Sequence, residues 1–241
     1  MSKEKINKGI ILAAGTGHRL GSLTAIRPKV LLPVDGKEQL IRYPIEALVA
    51  AGISNIAIVV GYLRDNVIEA LGNGDDFGAR LQYVYNSDYL GGNAISVYKA
   101  REWVQGEPVV LCMGDHLIDG KIIKRLLDRP AFNETLCIDY TPASHHVLAE
   151  ATKVAVDSAG RIENIGKDIV YWDALDTGVF LLTENFFQAL HELIQHRGTE
   201  VTISDVTNFL IGRGHPFNTC DVSGCFWADV DTKEDLDKVR G

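Results

Sequence analysis

The sequence predicts an α/β protein, with a doubly wound, mostly parallel sheet in its first half and a mixed sheet in its second. Three observations carry this. Short apolar runs alternate with stretches of helical period from residue 9 to residue 113, the β-α-β-α order of parallel strands joined by right-handed crossovers. The run Pro108–Met113 is apolar along its length, as a strand covered on both faces requires. After residue 134, strand-like runs follow one another with few helical stretches between them.

The first strand is Gly9–Ala13, and Gly15-Thr16-Gly17-His18-Arg19 breaks it as a glycine-punctuated loop. Gly15 and Gly17 lack a Cβ, so the backbone can take positive φ and approach a ligand closely. A strand ending in a small-residue loop is how α/β proteins bring backbone N–H groups to phosphates. Arg19 and Lys29 add two positive charges where an anion would sit. Neither common phosphate motif is complete here. Arg19-Leu20 stands near the place of the third glycine of G-x-G-x-x-G, and G-x-x-x-x-G-K-[ST] is absent. Plain turn chemistry is the competing reading of this loop.

A helix is expected over Gln39–Ala51, with Leu40, Ile41, Ile45, Leu48 and Val49 at helical spacing and Gly52 closing it. Asn55–Val60 reads as a strand, Arg64–Leu71 as a helix closed by Gly72, and Leu81–Tyr85 as a strand. Gly91-Gly92 opens a helix over Asn93–Val104. In the second half, strands are expected at Thr135–Tyr140, Thr152–Val156, Arg161–Ile165 and Thr177–Leu182, with a hairpin turn at 157–160. Helices return at Glu184–Gln195 and Ser204–Ile211, with Ser204 as N-cap. Strands at Phe217–Val222 and Cys225–Val230 precede a terminal helix from Thr232, where Thr232 and Asp235 fit a capping box. No repeat, low-complexity tract or proline-rich linker divides the chain, so a single domain over residues 1–241 is expected.

Composition narrows the function. Of 241 residues, 46% are hydrophobic and 23% charged, ordinary for a globular protein. The formal net charge is −8 and no basic stripe is visible, which argues against general nucleic-acid binding. An acidic protein that binds phosphates must concentrate positive charge locally or recruit a metal. Cys112, Cys137, Cys220 and Cys225 are scattered without a C-x-x-C pair, so buried reduced thiols in a cytoplasmic protein are expected and a zinc site is not. No apolar run approaches the roughly 20 residues that span a bilayer. The charged N-terminus leads into the first strand rather than a cleavable signal.

Several residues have the chemistry for a ligand site. Asp115 follows an apolar central strand behind Gly114, and the carboxyl ends of such strands point into the ligand crevice. It is a candidate metal ligand, or else a turn aspartate. His116 beside it reads as a hydrogen-bonding neighbour. Strand alternation puts Asp229 and Asp231 on one face, where they repel without a cation. Either could instead be a charge preceding a helix N-terminus. Lys153 and Lys167 are the candidate cations for an acceptor's phosphate, Lys167 behind Gly166 the better placed. Asp176 could bind acceptor hydroxyls or close a turn. Gly92, Asn93 and Ser96 sit at a helix start, where Asn93 can read a base edge or serve as a cap.

In order, LAAGTGHRL, RPKVLLPV, GGNAIS, MGDH, ATKV, IGKD, DTGVF and WADVDT span nearly the whole chain. Together they resemble the nucleotidyltransferase superfamily, with its GT-A-like, Rossmann-like fold. Val30 stands where that family usually has a second proline. IGKD, DTGVF and GDH draw the resemblance toward the CTP:inositol-1-phosphate cytidylyltransferases. The resemblance implies an acceptor phosphate attacking the α-phosphorus of a nucleoside triphosphate, with loss of pyrophosphate. It implies nucleotide contacts from Leu12, Ala13, Ala14, Gly15, Thr16, Gly17, Gly92, Asn93 and Ser96, and catalytic cations Arg19 and Lys29. It also implies Mg²⁺ on Asp115 and Asp231, preferred over Asp229 through the acidic element DVDTKEDL, and acceptor contacts from Lys153, Lys167 and Asp176. Some relatives fuse this domain to a membrane-embedded phosphotransferase, a part not expected within these 241 residues. A GT-A glycosyltransferase, for which Asp229-Val230-Asp231 would supply a D-x-D motif, and a non-catalytic nucleotide-binding module are the rival readings. The base and the acceptor (inositol phosphate, a hexose 1-phosphate or a choline-like phosphate) stay open.

Overall fold

The computed structural model describes residues 6–34, 38–129, 133–142 and 150–240. The first half runs β1 (Lys8–Ala13), α1 (Arg42–Ala50), β2 (Asn55–Val60), α2 (Arg64–Leu71), β3 (Arg80–Tyr85), α3 (Asn93–Lys99), α4 (Arg101–Val104), β4 (Val109–Met113), β5 (His116–Ile118) and α5 (Gly120–Leu127). The second half runs β6 (Thr135–Asp139), β7 (Lys153–Val156), β8 (Ile162–Gly166), β9 (Ala174–Leu182), α6 (Glu184–Arg197), α7 (Ile203–Gly212), β10 (Asn218–Asp221), β11 (Trp227–Asp229) and α8 (Lys233–Arg240).

Strands β4, β1, β2 and β3 lie side by side and parallel, as the β-α-β-α pattern predicts. The long β9 then runs antiparallel between β4 and β6 and joins the two halves into one sheet. Strand β10 is parallel to β6, and β7 is antiparallel to both β8 and β9. The sheet is therefore doubly wound and parallel in its first half and mixed in its second. Alternation along each strand divides the side chains between two cores. Ile11, Ile56 and Ile58 pack with Leu48 of α1 and Ile122 of α5, whereas Ile10, Ala57 and Val59 pack with Val97 of α3 and Phe186 of α6. A third, smaller cluster joins Leu32, Val34 and Leu40 to Leu117, Val230 and Leu236. It clamps the segment after Lys29 onto the C-terminal elements, although some 200 residues separate them in sequence.

Some local expectations change. The helix expected from Gln39 begins at Arg42, because Gln39 is held in a β-bridge with Pro33. The helix expected over Asn93–Val104 is two helices. At Ala100 (φ −81°, ψ −4°) the N–H bonds Val97 O at 3.1 Å, a tightened turn that ends α3. The N-cap of α7 is Thr202, not Ser204. Its hydroxyl takes the Asp205 N–H at 3.1 Å, while the Asp205 carboxylate takes the Thr202 N–H at 2.8 Å. The expected box at Thr232 and Asp235 is present, with the corresponding bonds at 3.2 and 2.8 Å. The hairpin turn is present as well, with Asp157 accepting from the N–H groups of Ala159 and Arg161. Helix α5 and strand β5 are additions. Asp119 caps α5 by accepting from Lys121 N, and Ile122, Ile123 and Leu126 form its buried stripe. Among the described residues no helix is long and apolar enough to cross a membrane.

Candidate active site

The loop after β1 turns on Gly17, which is left-handed at φ +64°, and a Cβ there would lie 2.7 Å from Lys29 Cβ. Glycine thus lets the loop fold down over the lysine stem. Gly15 differs from the expectation: its φ is not positive, and a Cβ on it would meet nothing within 4 Å. It leaves open space rather than making a strained turn. Thr24 Oγ1 donates to Gly17 O at 3.0 Å and fixes the returning 3₁₀ turn.

Lys29 is buried behind Pro28, and its ammonium is held between two carboxylates. It donates to Asp115 Oδ2 and Asp231 Oδ1, each at 2.6 Å. Asp115 reaches this point because β4 is followed by Gly114, whose N–H bonds Leu12 O at 2.9 Å; a Cβ at Gly114 would lie 2.6 Å from that oxygen. Asp231 arrives through the antiparallel β5–β11 ladder, with Val230 N–H donating to Asp115 O at 3.2 Å. Arg19 Nη2 grips Asp231 Oδ2 at 2.6 Å, and its Nη1 reaches Glu150 Oε2 at 3.0 Å.

The charges are strongly coupled. Burial disfavours the Lys29 ammonium, but Asp115 and Asp231 overcome that and raise its pKa above the ordinary lysine value. Burial likewise pushes Asp115 up, yet Lys29 and His116 hold it below the usual carboxylate range. Asp231 is pushed up by burial and pulled down harder by Lys29 and Arg19, to about 2. Both carboxylates are therefore ionised at neutral pH.

This cluster stands where two lobes of one cleft meet. The first lobe, of about 350 Å³, is walled by the Gly15–Gly17 loop, Arg19 and Lys29. The second, of about 330 Å³, is walled by Gly92, Lys167, Asp176 and Asp229 among others. Asp115 and Asp231 line both.

Of the residues singled out in the sequence, Leu12, Ala13, Gly15, Thr16, Gly17, Arg19 and Lys29 border the first lobe. Ala14, Gly92, Asn93, Ser96, Lys167 and Asp176 border the second. Asn93 accepts from Ile203 N at 2.9 Å, so its carbonyl is committed to α7 and only its NH₂ is left for a ligand. Ser96 is buried, and its hydroxyl takes the Asn86 side-chain amide at 3.0 Å. Lys153 borders neither lobe. Its ammonium donates to Lys167 O at 2.7 Å and so braces the backbone that carries Lys167.

Asp229 lines the second lobe together with Asp231 but takes no part in the ion pairs with Lys29 and Arg19. Strand β11 ends at Asp229, and the capping turn that follows carries Asp231 on to Lys29. Asp229 borders only the second lobe, with His116 and Glu150, which the sequence reading did not place in the site. The signal for Asp229 and His116 is their pairing across β5–β11, a contact between distant segments that no local pattern encodes.

Gly92 has ordinary φ (−63°), yet a Cβ on it would lie 2.1 Å from Val201 O. Backbone cannot yield as a flexible side chain can. Gly92→Ala is expected to lower stability by about 3 kcal/mol by displacing the start of α3. Thermal melting checks this; a variant matching the wild-type Tm contradicts the packing argument.

The donor set suits a hard divalent cation. Asp115 and Asp231 offer ionised oxygens that already converge on one positive charge, as Mg²⁺ shared with a polyphosphate requires. Among the described residues no cluster of three or more His, Cys, Asp or Glu could hold a metal by itself, so the other ligands would be phosphate oxygens and water.

Two lobes that meet at a charged junction give one place for a group's donor and one for its acceptor, the arrangement of a group-transfer enzyme. Comparison with known proteins identifies the group: the chain belongs to the nucleotidyl transferase family, whose model matches residues 8–240. A bifunctional IPC transferase and DIPP synthase of Aquifex aeolicus is 33% identical over 235 residues, covering 98% of this chain and 51% of that protein. The chain thus spans about half the length of that relative. A glucose-1-phosphate thymidylyltransferase of Streptomyces griseus is 28% identical, over 97% of this chain and 65% of that protein. Among solved structures, the inositol-1-phosphate CTP transferase from T. maritima superposes with a TM-score of 0.85 at 27% identity, covering 98% of this chain and 96% of that one.

Proposed function

We propose that this domain transfers the cytidylyl group of CTP to inositol 1-phosphate, with Mg²⁺ and release of pyrophosphate. The observation that carries the reading is Lys29, shielded from water and held between Asp115 and Asp231 at the junction of the lobes. The choice of nucleotide and acceptor is supported by the likeness to the inositol-1-phosphate CTP transferase over nearly the full length of both chains.

In this mechanism the N–H groups of Ala14–Gly17 cradle the triphosphate in the first lobe. The acceptor phosphate, held by Lys167 in the second lobe, is already ionised at neutral pH, so no general base is required. Its oxygen attacks the α-phosphorus, and pyrophosphate leaves in line. Lys29 orients the α-phosphate and the attacking oxygen, and Arg19, released from Asp231 and Glu150, neutralises the departing pyrophosphate. Asp115 and Asp231 would hold Mg²⁺, whose charge would polarise the α-phosphoryl group when bound. Lys153 acts here through the backbone of Lys167 rather than by touching the acceptor.

A second reading, transfer to a hexose 1-phosphate, is favoured by the likeness to the thymidylyltransferase. A pyrophosphate-release screen of the four nucleoside triphosphates against inositol 1-phosphate, glucose 1-phosphate and phosphocholine separates them, run with Mg²⁺ and with EDTA. CTP with inositol 1-phosphate is expected to be fastest and EDTA to abolish it. A faster reaction with glucose 1-phosphate selects the second reading, and no acceptor-dependent release with any pair sinks both.

A further inference from the structure

The charges at the junction of the lobes answer one another. Asp231 has both carboxylate oxygens engaged, Oδ1 by Lys29 Nζ and Oδ2 by Arg19 Nη2, each at 2.6 Å. Asp115 has Oδ2 engaged by Lys29 at 2.6 Å, and its Oδ1 lies 3.8 Å from His116 Nε2. Two carboxylates thus face two cations, so a divalent ion approaching the pair meets little net negative charge. The two cations differ in freedom. The Lys29 side chain is only 8% exposed and is held from both sides. That of Arg19 is 38% exposed and borders the first lobe. The backbone around Arg19 is fixed. Thr24 Oγ1 donates to Gly17 O and Gly21 O at 3.0 and 3.2 Å, and the Tyr62 hydroxyl donates to Thr24 O and Ala25 O at 3.2 and 3.0 Å. What is free to swing is the guanidinium on its stem. Its Nη1 pairs with Glu150 Oε2 at 3.0 Å. A guanidinium fork matches the oxygens of a phosphate, so a polyphosphate in the first lobe competes directly with Asp231 and Glu150 for it.

We propose that Arg19 gates the metal site: it closes Asp231 to a divalent cation until a nucleotide's phosphates draw the guanidinium away. The inference rests on Asp115 and Asp231 being the metal ligands of the proposed transfer. Mg²⁺ dehydrates reluctantly and is held through one or two carboxylates together with substrate phosphates, and affinity for hard cations follows the charge of the ligand set. With Arg19 on Asp231, that carboxylate has both oxygens committed and its charge answered. With Arg19 on the phosphates, Oδ2 is released and the carboxylate pair recovers one negative charge as the polyphosphate arrives. The movement that neutralises the triphosphate is therefore the movement that opens the place for the cation. Lys29, buried and doubly held, stays where it is. Nucleotide and metal then enter together, and a cation does not settle in the cleft ahead of the nucleotide.

The test titrates Mn²⁺, standing in for Mg²⁺, into nucleotide-free enzyme and follows the free ion by electron paramagnetic resonance. Wild type, Arg19→Gln, Arg19→Ala and the double variant Arg19→Ala/Asp231→Asn are compared, and melting curves in EDTA establish that each is folded. Both single variants should bind Mn²⁺ roughly tenfold or more tighter than wild type, because a unit positive charge has left the side of Asp231. The double variant should fall back to the wild-type affinity or below it. Mn²⁺ should raise the Tm of the single variants and leave that of wild type within about 1 °C. Wild type that binds Mn²⁺ as tightly as the single variants overturns the proposal, as does tight binding kept by the double variant. Wild-type pyrophosphate release with and without EDTA separates the two levels of the argument. Equal Mn²⁺ affinities beside EDTA-sensitive turnover remove only this inference. Turnover indifferent to EDTA removes the metal from the proposed function and the gate with it.

Discussion

Lys29→Ala is expected to abolish turnover, lowering kcat/KM by roughly 10³-fold or more, and to lower thermal stability at the same time. The kinetic loss follows from removing the ammonium held between Asp115 and Asp231, which line both lobes, where charge moves during transfer. The stability loss follows from what the lysine leaves behind. Asp115 and Asp231 would face each other without their shared cation, and breaking a buried ion pair costs roughly 3–5 kcal/mol. Their side chains are 29% and 22% exposed, so solvent screens part of that and about 2 kcal/mol is the expected loss, or roughly 4–8 °C in Tm. Mg²⁺ should restore much of the lost Tm, since a divalent ion can replace the missing charge between the two carboxylates. Calorimetry with Mg²⁺ and with EDTA, beside a pyrophosphate assay, checks both halves. Near-full activity, or a Tm loss indifferent to Mg²⁺, defeats the assignment.

Asp115→Ala should separate chemistry from stability. A loss of kcat by roughly 10²–10³-fold is expected, because half of the paired carboxylates is gone. Melting should stay within about 3 °C of wild type, since Lys29 keeps Asp231 at 2.6 Å and Asp231 keeps Arg19. The contrast is the informative part: the lysine variant loses activity and stability, the aspartate variant mainly activity. A folded Asp115→Ala enzyme with more than a tenth of wild-type kcat would remove Asp115 from the site.

The parallel half was readable because its information is local. β1, β2, α2 and β4 each carry an apolar run or a helical period closed by glycine or turn residues, and α2 lies over the residues expected for it. The glycine loop, Lys29 and Asp115 were readable for the same reason, since each follows an identifiable strand or turn. Strand β5 was not, because three residues cannot display a period and its partner lies more than 100 residues away. Helix α5 did carry a signal, Asp119 followed by Ile122, Ile123 and Leu126, but its C-cap is Asp128 rather than the closing glycine that marks α2. At α7, Thr202 and Ser204 are both capping types. Only the acidic residue three positions on, Asp205 after Thr202, discriminates between them. Lys153 misled because its charge suggested a ligand, while its stem leads to the Lys167 carbonyl.

The bond between Lys29 and Asp231 also orders events in time. During synthesis the glycine loop and its lysine leave the ribosome early, while their acidic partner follows 202 positions later. A nascent chain therefore carries the loop long before it carries the second carboxylate. The ion pair is withheld until translation is close to the end of this domain, and a chain interrupted before β11 would lack both the Asp231 carboxylate and the ladder that carries it to Lys29.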